Sequence, residues 1–153
     1  MKMDGQIRVK TNSHYARMYN DIKGVAFGDF HEFFFLCACI GYNANNKEPL
    51  GKNGEDRFWS STITAREWAC YYAMFLEKNG FDFTAAQDEK VIINKMEEYA
   101  NAGMKILLNE FLNDYVIGSR EDPQLDQGRS RELPKNLLNF VFERINDWNS
   151  RAK

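Results

Sequence analysis

Three cysteines and two histidines are the side chains of this chain best suited to soft-metal binding or thiol chemistry. Cys37 and Cys39 are two residues apart, and on a helix this spacing turns the side chains about 200° from each other. Two thiolates so placed do not easily reach one ion. His31 and Cys37 also fall on different helix faces, which disfavours a Cys–His nucleophile pair. We predict no catalytic, cofactor-binding or metal-ligating residues, with Cys37 and Cys39 packing as small hydrophobic groups.

Carboxylates are numerous, but their spacing does not form a recognisable acid–base or metal pattern. Glu97 and Glu98 are adjacent and diverge by about 100° on a helix. The chain lacks the Glu-x-x-His pair of di-metal helix bundles and the glycine spacing of a phosphate-binding loop. These patterns favour a protein that is not an enzyme. A cryptic nuclease built on Glu121, Asp122 and Lys135 is the weakest alternative, because no paired strands are predicted to hold that site.

Cations and aromatic rings alternate near the start of the chain. The candidate partner or nucleic-acid contact residues are Arg8, Lys10, Tyr15, Arg17, Tyr19 and Lys23. The cations can bind the phosphates of a nucleic-acid strand, and the rings can stack on its bases. The same mixture is also common on helices that dock a protein. Residues 1–28 and 129–153 each carry a net charge of +3, whereas the stretch between them carries −8. If the protein binds DNA, these two basic ends are the expected binding surface. The simpler alternative is that the ends are ordinary solvent-exposed faces on which the charge is unevenly distributed.

Length and composition limit the class of protein. The chain has 153 residues, of which 44% are hydrophobic and 14% aromatic, enough for one domain with a core and too apolar for intrinsic disorder. Its longest charge-free run, between Glu32 and Lys47, is shorter than the ~20 apolar residues of a membrane span. The first residues lack a secretory signal, so we expect a cytoplasmic protein with no membrane partner.

The hydrophobic periodicity predicts an all-α domain over residues 1–153 with about five helices. We expect a flexible arm over residues 1–12, short extended segments near 6–10 and 57–63, and a charged loop over 118–132. Capping signals and glycines bound the helices. The predicted helices begin near Asn12 or Ser13, Asp29, Thr64, Thr84 and Pro134. The first and third end at Gly24 and Gly80, and Gly41 with the Asn43–Asn46 cluster stops the second.

The same periodicity predicts the core. Phe34, Cys37, Tyr99, Gly103 and Leu107 should be buried, with the fourth helix crossing the Phe-rich second helix near Gly103, because a mid-helix glycine usually permits close approach. We also expect the last helix to bury an apolar stripe. That stripe comprises Leu137, Leu138, Val141, Ile145 and Trp148.

Two segments together resemble a known family. The Phe-rich helix runs into Gly41-Tyr42 and a polar loop with Pro49-Leu50, and a later segment reads EEYANAGM over 97–104. In this order, across roughly residues 20–112, the chain resembles the bacterial family known as DNA phosphorothioation-associated protein 4. Members of this family are encoded near systems that place sulfur on the DNA backbone or restrict DNA lacking it.

The resemblance implies an accessory component of a phosphorothioation-linked restriction or anti-phage system. It transfers no catalytic residue to this chain. We therefore expect a non-enzymatic interaction subunit that binds another protein of such a complex, with at most weak, sequence-independent DNA binding. A small DNA-binding regulator that uses the basic terminal segments is the alternative.

Overall fold

The computed structural model describes residues 6–151 and is mainly helical, as predicted. Within those residues it also contains two small antiparallel sheets of two strands each. The helices are α1 (Ala16–Ile22), α2 (Phe30–Asn43), α3 (Ala65–Lys78), α4 (Glu89–Glu110) and α5 (Leu133–Arg151). The strands are β1 (Arg8–Asn12), β2 (Gly54–Trp59), β3 (Val116–Ile117) and β4 (Gln124–Leu125), and they pair as β1 with β2 and β3 with β4.

The short extended segment predicted near residues 6–10 is present as β1, which runs from Arg8 to Asn12, so those residues are not a flexible arm; residues 1–5 lie outside the described part. Val9 is fully buried and lies opposite Phe58 of β2. The backbone N–H of Lys10 donates to Glu97 Oε2 of α4 at 2.7 Å. The strand is therefore held by a buried side chain and by a hydrogen bond to the longest helix. The extended segment predicted near 57–63 begins earlier, at Gly54, and ends at Trp59.

Helices α2 and α4 cross backbone to backbone at two glycines. A Cβ atom on Gly103 would lie 1.7 Å from the carbonyl oxygen of Cys37, and one on Gly41 would lie 2.0 Å from that of Tyr99. The close crossing predicted at Gly103 is confirmed, and Phe34, Cys37, Tyr99 and Leu107 are buried as expected. Helix α2 passes through Gly41 and ends at Asn43, the first residue of the Asn43–Asn46 cluster predicted to stop it together with Gly41.

Local capping explains most helix starts. Thr64 and Glu67 form the predicted capping box, with Thr64 Oγ1 accepting from Glu67 N–H and the Glu67 carboxylate accepting from Thr64 N–H. Helix α4 begins later than predicted: residues 85–87 form a separate 3-10 turn, and Asp88 caps the helix by accepting from Lys90 N–H. A carboxylate one residue before the first helical turn has displaced the predicted Thr84 cap.

The predicted charged loop over 118–132 contains β4, so it is not irregular throughout. Its buried Leu125 donates a backbone hydrogen bond to Asp21 Oδ2 of α1 at 3.1 Å. Arg17 Nε lies 3.4 Å from Asp122 Oδ2 in the same region. These contacts hold the β3–β4 hairpin against α1. None of the helices in the described residues has the length and apolar character needed to cross a bilayer.

Candidate docking face on the last helix

Helix α5 is attached to the rest of the protein along one side. Leu133 and Leu137 are buried. The Phe140 ring stacks on Phe111 with centroids 5.2 Å apart, and Arg144 pairs with the carboxylate of Glu110. These contacts lie on the side of the helix that faces the end of α4.

The adjoining side of α5, centred roughly 110° around the helix axis from these contacts, carries four large apolar residues that nothing in the described structure covers. The exposed fractions are 57% for Leu138, 57% for Phe142, 42% for Ile145 and 53% for Trp148. At 100° per residue these four positions fall within an arc of about 120°. We call this set the α5 face. Most other large apolar side chains of α1 to α4 are buried, so its exposure is a distinct feature of the last helix.

The predicted burial of the last helix is therefore wrong for three of its five residues. Leu137 is buried and Val141 is half-buried, but Leu138, Ile145 and Trp148 are exposed. The apolar stripe spans more than one side of α5, whereas the protein packs against only one side. The hydrophobic pattern is that of a buried face, but the described residues do not supply the surface that would bury it.

The surroundings of the α5 face resemble the rim of a protein interface. Asn139 and Asn146 border the arc on one side and Asn149 lies within it, and all three are exposed. Lys135 is the charged residue nearest the arc. An apolar centre with a polar, weakly charged rim is the usual composition of a protein–protein contact. A phosphate-binding surface would instead present several cations.

The predicted N-terminal contact set does not form one exposed surface. Tyr19 is buried, with its ring centroid 5.0 Å from that of Phe33 and the Arg57 guanidinium over its ring, so the prediction that it contacts a partner is wrong. Burial also raises the pKa of the Tyr19 hydroxyl well above its usual value. Tyr15 is half-buried, with part of its side chain packed against the hydrophobic core.

Three of the N-terminal cations already contact carboxylates of the same chain. Arg8 lies 3.5 Å from Asp56 and also sits over the Trp59 ring, 4.4 Å from its centroid. Arg17 pairs with Asp122 as described above, and Lys23 lies 3.7 Å from Asp29. These exposed pairs reduce the positive potential that phosphate would meet. Lys10 is exposed on β1, close to Lys90 and Glu97.

His31 contributes to packing between helices. Its Nδ1 lies 2.9 Å from Glu67 Oε1, and both side chains are largely buried. The same carboxylate completes the capping box of α3, so this pair ties the starts of α2 and α3 together. The spacing of the sequence does not reveal the pair, since two residues so far apart along the chain share no local pattern.

The thiols of Cys37 and Cys39 are poorly suited to nucleophilic chemistry. Burial raises the pKa of Cys37 well above its ordinary value, and burial with the nearby Cys70 and Glu67 raises the pKa of Cys39 to about 12. Both therefore remain protonated at neutral pH. Among the described residues, no three His, Cys, Asp or Glu side chains converge closely enough to hold a metal ion.

Comparison of the chain with protein-family models, with curated proteins and with solved structures finds no match. The function is therefore inferred from the geometry of the site and from the sequence resemblance.

Proposed function

We propose that this protein is a non-enzymatic interaction subunit that docks another protein through the α5 face. The observation that carries the proposal is the exposure of Leu138, Phe142, Ile145 and Trp148 on one side of a helix that is anchored along the adjoining side. Together they expose on the order of 400 Å² of apolar surface, a patch size that on monomeric proteins is often functional. Binding a partner would remove this surface from water.

The occupant that best fits the α5 face is an apolar groove on a larger protein. The four residues are spaced i, i+4, i+7 and i+10, the pattern of helices that insert one face into a groove. Pairing two copies of the face would bury roughly 800 Å² in total, below the ~1,200–2,000 Å² of a standard stable interface. A groove encloses a helix from several sides and so buries more of Phe142 and Trp148.

The biological setting is proposed from the resemblance to DNA phosphorothioation-associated protein 4. We assign the chain to a bacterial phosphorothioation-linked restriction or anti-phage complex, with the grooved protein as another component of that complex. The two resembling segments include the residues of the α2–α4 crossing, Gly41 and Gly103. They thus contribute to the scaffold, and the α5 face is a separate feature of this chain.

Co-expression of the tagged protein with the proteins encoded beside it tests this function. We expect a complex that survives moderate salt, because its stability comes from buried aromatic area and not from exposed charge pairs. The double variant Phe142→Ala with Trp148→Ala should weaken binding at least about 30-fold. Phe83→Ala is the matched control, since Phe83 is also an exposed aromatic residue but lies outside α5.

The outcome that contradicts the proposal is equally specific. A complex that persists unchanged in the double variant would place docking elsewhere. Salt-sensitive DNA binding that is lost in Arg17→Ala and Lys23→Ala, with no neighbouring protein bound, would favour the DNA-binding regulator instead.

A further inference from the structure

A groove of about 430 Å³ lies between the second half of α4 and the β3–β4 hairpin. Lys105, Leu108 and Asn109 line it from α4, and Tyr15 lines it from the turn before α1. Its volume is within the ~300–1,000 Å³ of small-molecule sites. The groove is separate from the α5 face.

The hairpin wall of the groove is held in place. Asp126 N–H donates to Tyr115 O at 2.7 Å across the hairpin, and Leu125 and Asp122 join the hairpin to α1 as described above. The Tyr115 hydroxyl accepts from Asn136 Nδ2 at 2.6 Å, which adds a contact to α5. A site whose walls are fixed before binding loses less entropy when a ligand enters.

The charge of the lining selects for an anion. None of the eleven lining residues is acidic, although the chain holds 22 Asp and Glu, and Lys105 and Arg120 are the two charged ones. Lys105 Nζ lies 3.9 Å from Glu48 Oε2, but both side chains are about half exposed, so that contact is weak and easily exchanged. Two cations without a lining carboxylate can neutralise one phosphate group.

The remaining lining groups suit a flat ring with a hydrogen-bonding edge. Asn109 and Asn113 supply side-chain amides, each with two N–H donors and a carbonyl acceptor. Tyr15 supplies an aromatic ring, and aromatic rings stack on nucleic-acid bases. Ile117, which is exposed at 54%, adds apolar surface that a bound ring would cover.

We propose that this groove binds a nucleotide, with its phosphate on Lys105 and Arg120 and its base among Tyr15, Asn109 and Asn113. The nucleotide is either free or one unit of a single strand, since both present the same ring and phosphate. This site does not depend on the docking function proposed for α5.

The test is a ligand titration of the isotopically labelled full chain, in which binding is monitored by changes in the NMR chemical shifts of the backbone amides. The probes are the four nucleoside 5′-monophosphates, adenosine, inorganic phosphate and a short oligodeoxynucleotide. We expect at least one monophosphate to saturate with a Kd below about 1 mM, and with shifts at Tyr15, Asn109 and Asn113. Adenosine and inorganic phosphate alone should each bind at least about tenfold more weakly, because each offers only half of the recognised groups.

Variants check that the groove is the site. Arg120→Gln and Asn109→Leu should each weaken nucleotide binding at least about fivefold. Arg66→Gln, which removes an exposed cation on α3 outside the groove, should leave it unchanged. Tighter binding of the oligodeoxynucleotide with shifts at the same residues would identify a strand as the source, and tighter binding of a monophosphate would identify a free nucleotide.

Three results would overturn the proposal. The first is that no nucleotide probe saturates the protein up to about 10 mM. The second is that inorganic phosphate binds as tightly as the nucleotides. The third is that Arg66→Gln and Arg120→Gln weaken nucleotide binding equally. None of these results would affect the α5 experiment, because the variants and ligands differ.

Discussion

Replacing Gly103 with alanine should lower the free energy of unfolding by about 3 kcal/mol or more, the upper part of the range for overpacked cores. The added methyl group would lie 1.7 Å from the carbonyl oxygen of Cys37 and 2.9 Å from the backbone nitrogen of Gly41. Backbone atoms cannot turn away as a flexible side chain can. The variant must therefore separate α2 from α4, the two helices that form the centre of the core.

Chemical denaturation of wild type and variant measures this effect. Gly41→Ala should also lower the free energy of unfolding, because its Cβ would lie 2.0 Å from the Tyr99 carbonyl oxygen. Gly54→Ala is the matched control: its φ is −66°, and the nearest atoms would lie 3.6 Å from the added methyl group, an ordinary contact. Equal stability of Gly103→Ala and Gly54→Ala would show that the helices do not cross at this distance.

Replacing Glu97 with glutamine should stabilise the protein above neutral pH. Burial raises the pKa of Glu97 from 4.5 to about 7, although Lys10 N–H and the charges of Lys10 and Lys90 act in the opposite direction. As pH rises from about 4.5 to about 7, the unfolded chain loses this proton more readily than the folded one, so stability falls. A glutamine can still accept the Lys10 hydrogen bond without a buried charge. We expect a gain of about 2–3 kcal/mol at pH 8.

The check is a pair of denaturation series from pH 4 to pH 8. The difference in free energy of unfolding between wild type and Glu97→Gln should be small near pH 4, grow as the pH rises from 4.5 to 7, and remain constant above pH 7. Glu121→Gln, an exposed carboxylate, serves as the control and should show little difference at any pH. A Glu97→Gln variant that is no more stable than wild type at pH 8 would show that the carboxylate is ionised in the folded protein without penalty.

Local signals predict the helices well where one residue has one physical role. Thr64 with Glu67 can satisfy the free N–H groups at a helix start, and the structure has that capping box. Gly41 shows the opposite case. A glycine after an apolar run is typical of a helix end, but it is equally what a backbone crossing requires. Only the position of α4 distinguishes the two roles, and that position is a property of the tertiary fold.

The candidate site is the hardest part to predict. Trp148 and Leu138 do lie on an apolar face of α5, but periodicity reports the composition of a face and not what covers it. Tyr19 is predicted at a surface because cations surround it in sequence, whereas its position on α1 turns it toward Phe33. The groove beside the β3–β4 hairpin has no sequence signal, since its residues come from segments about 100 positions apart.

The most direct measurement of docking through α5 is site-specific photo-crosslinking from the α5 face. A photoreactive phenylalanine analogue would replace Phe142, and in a parallel protein Phe83, during co-expression with the proteins encoded beside the chain. We predict that position 142 cross-links to an apolar groove of one such protein, identified by sequencing the joined peptide, and that position 83 does not. Cross-linking of position 142 only to a second copy of this chain, or equal cross-linking from position 83, would contradict docking through this face.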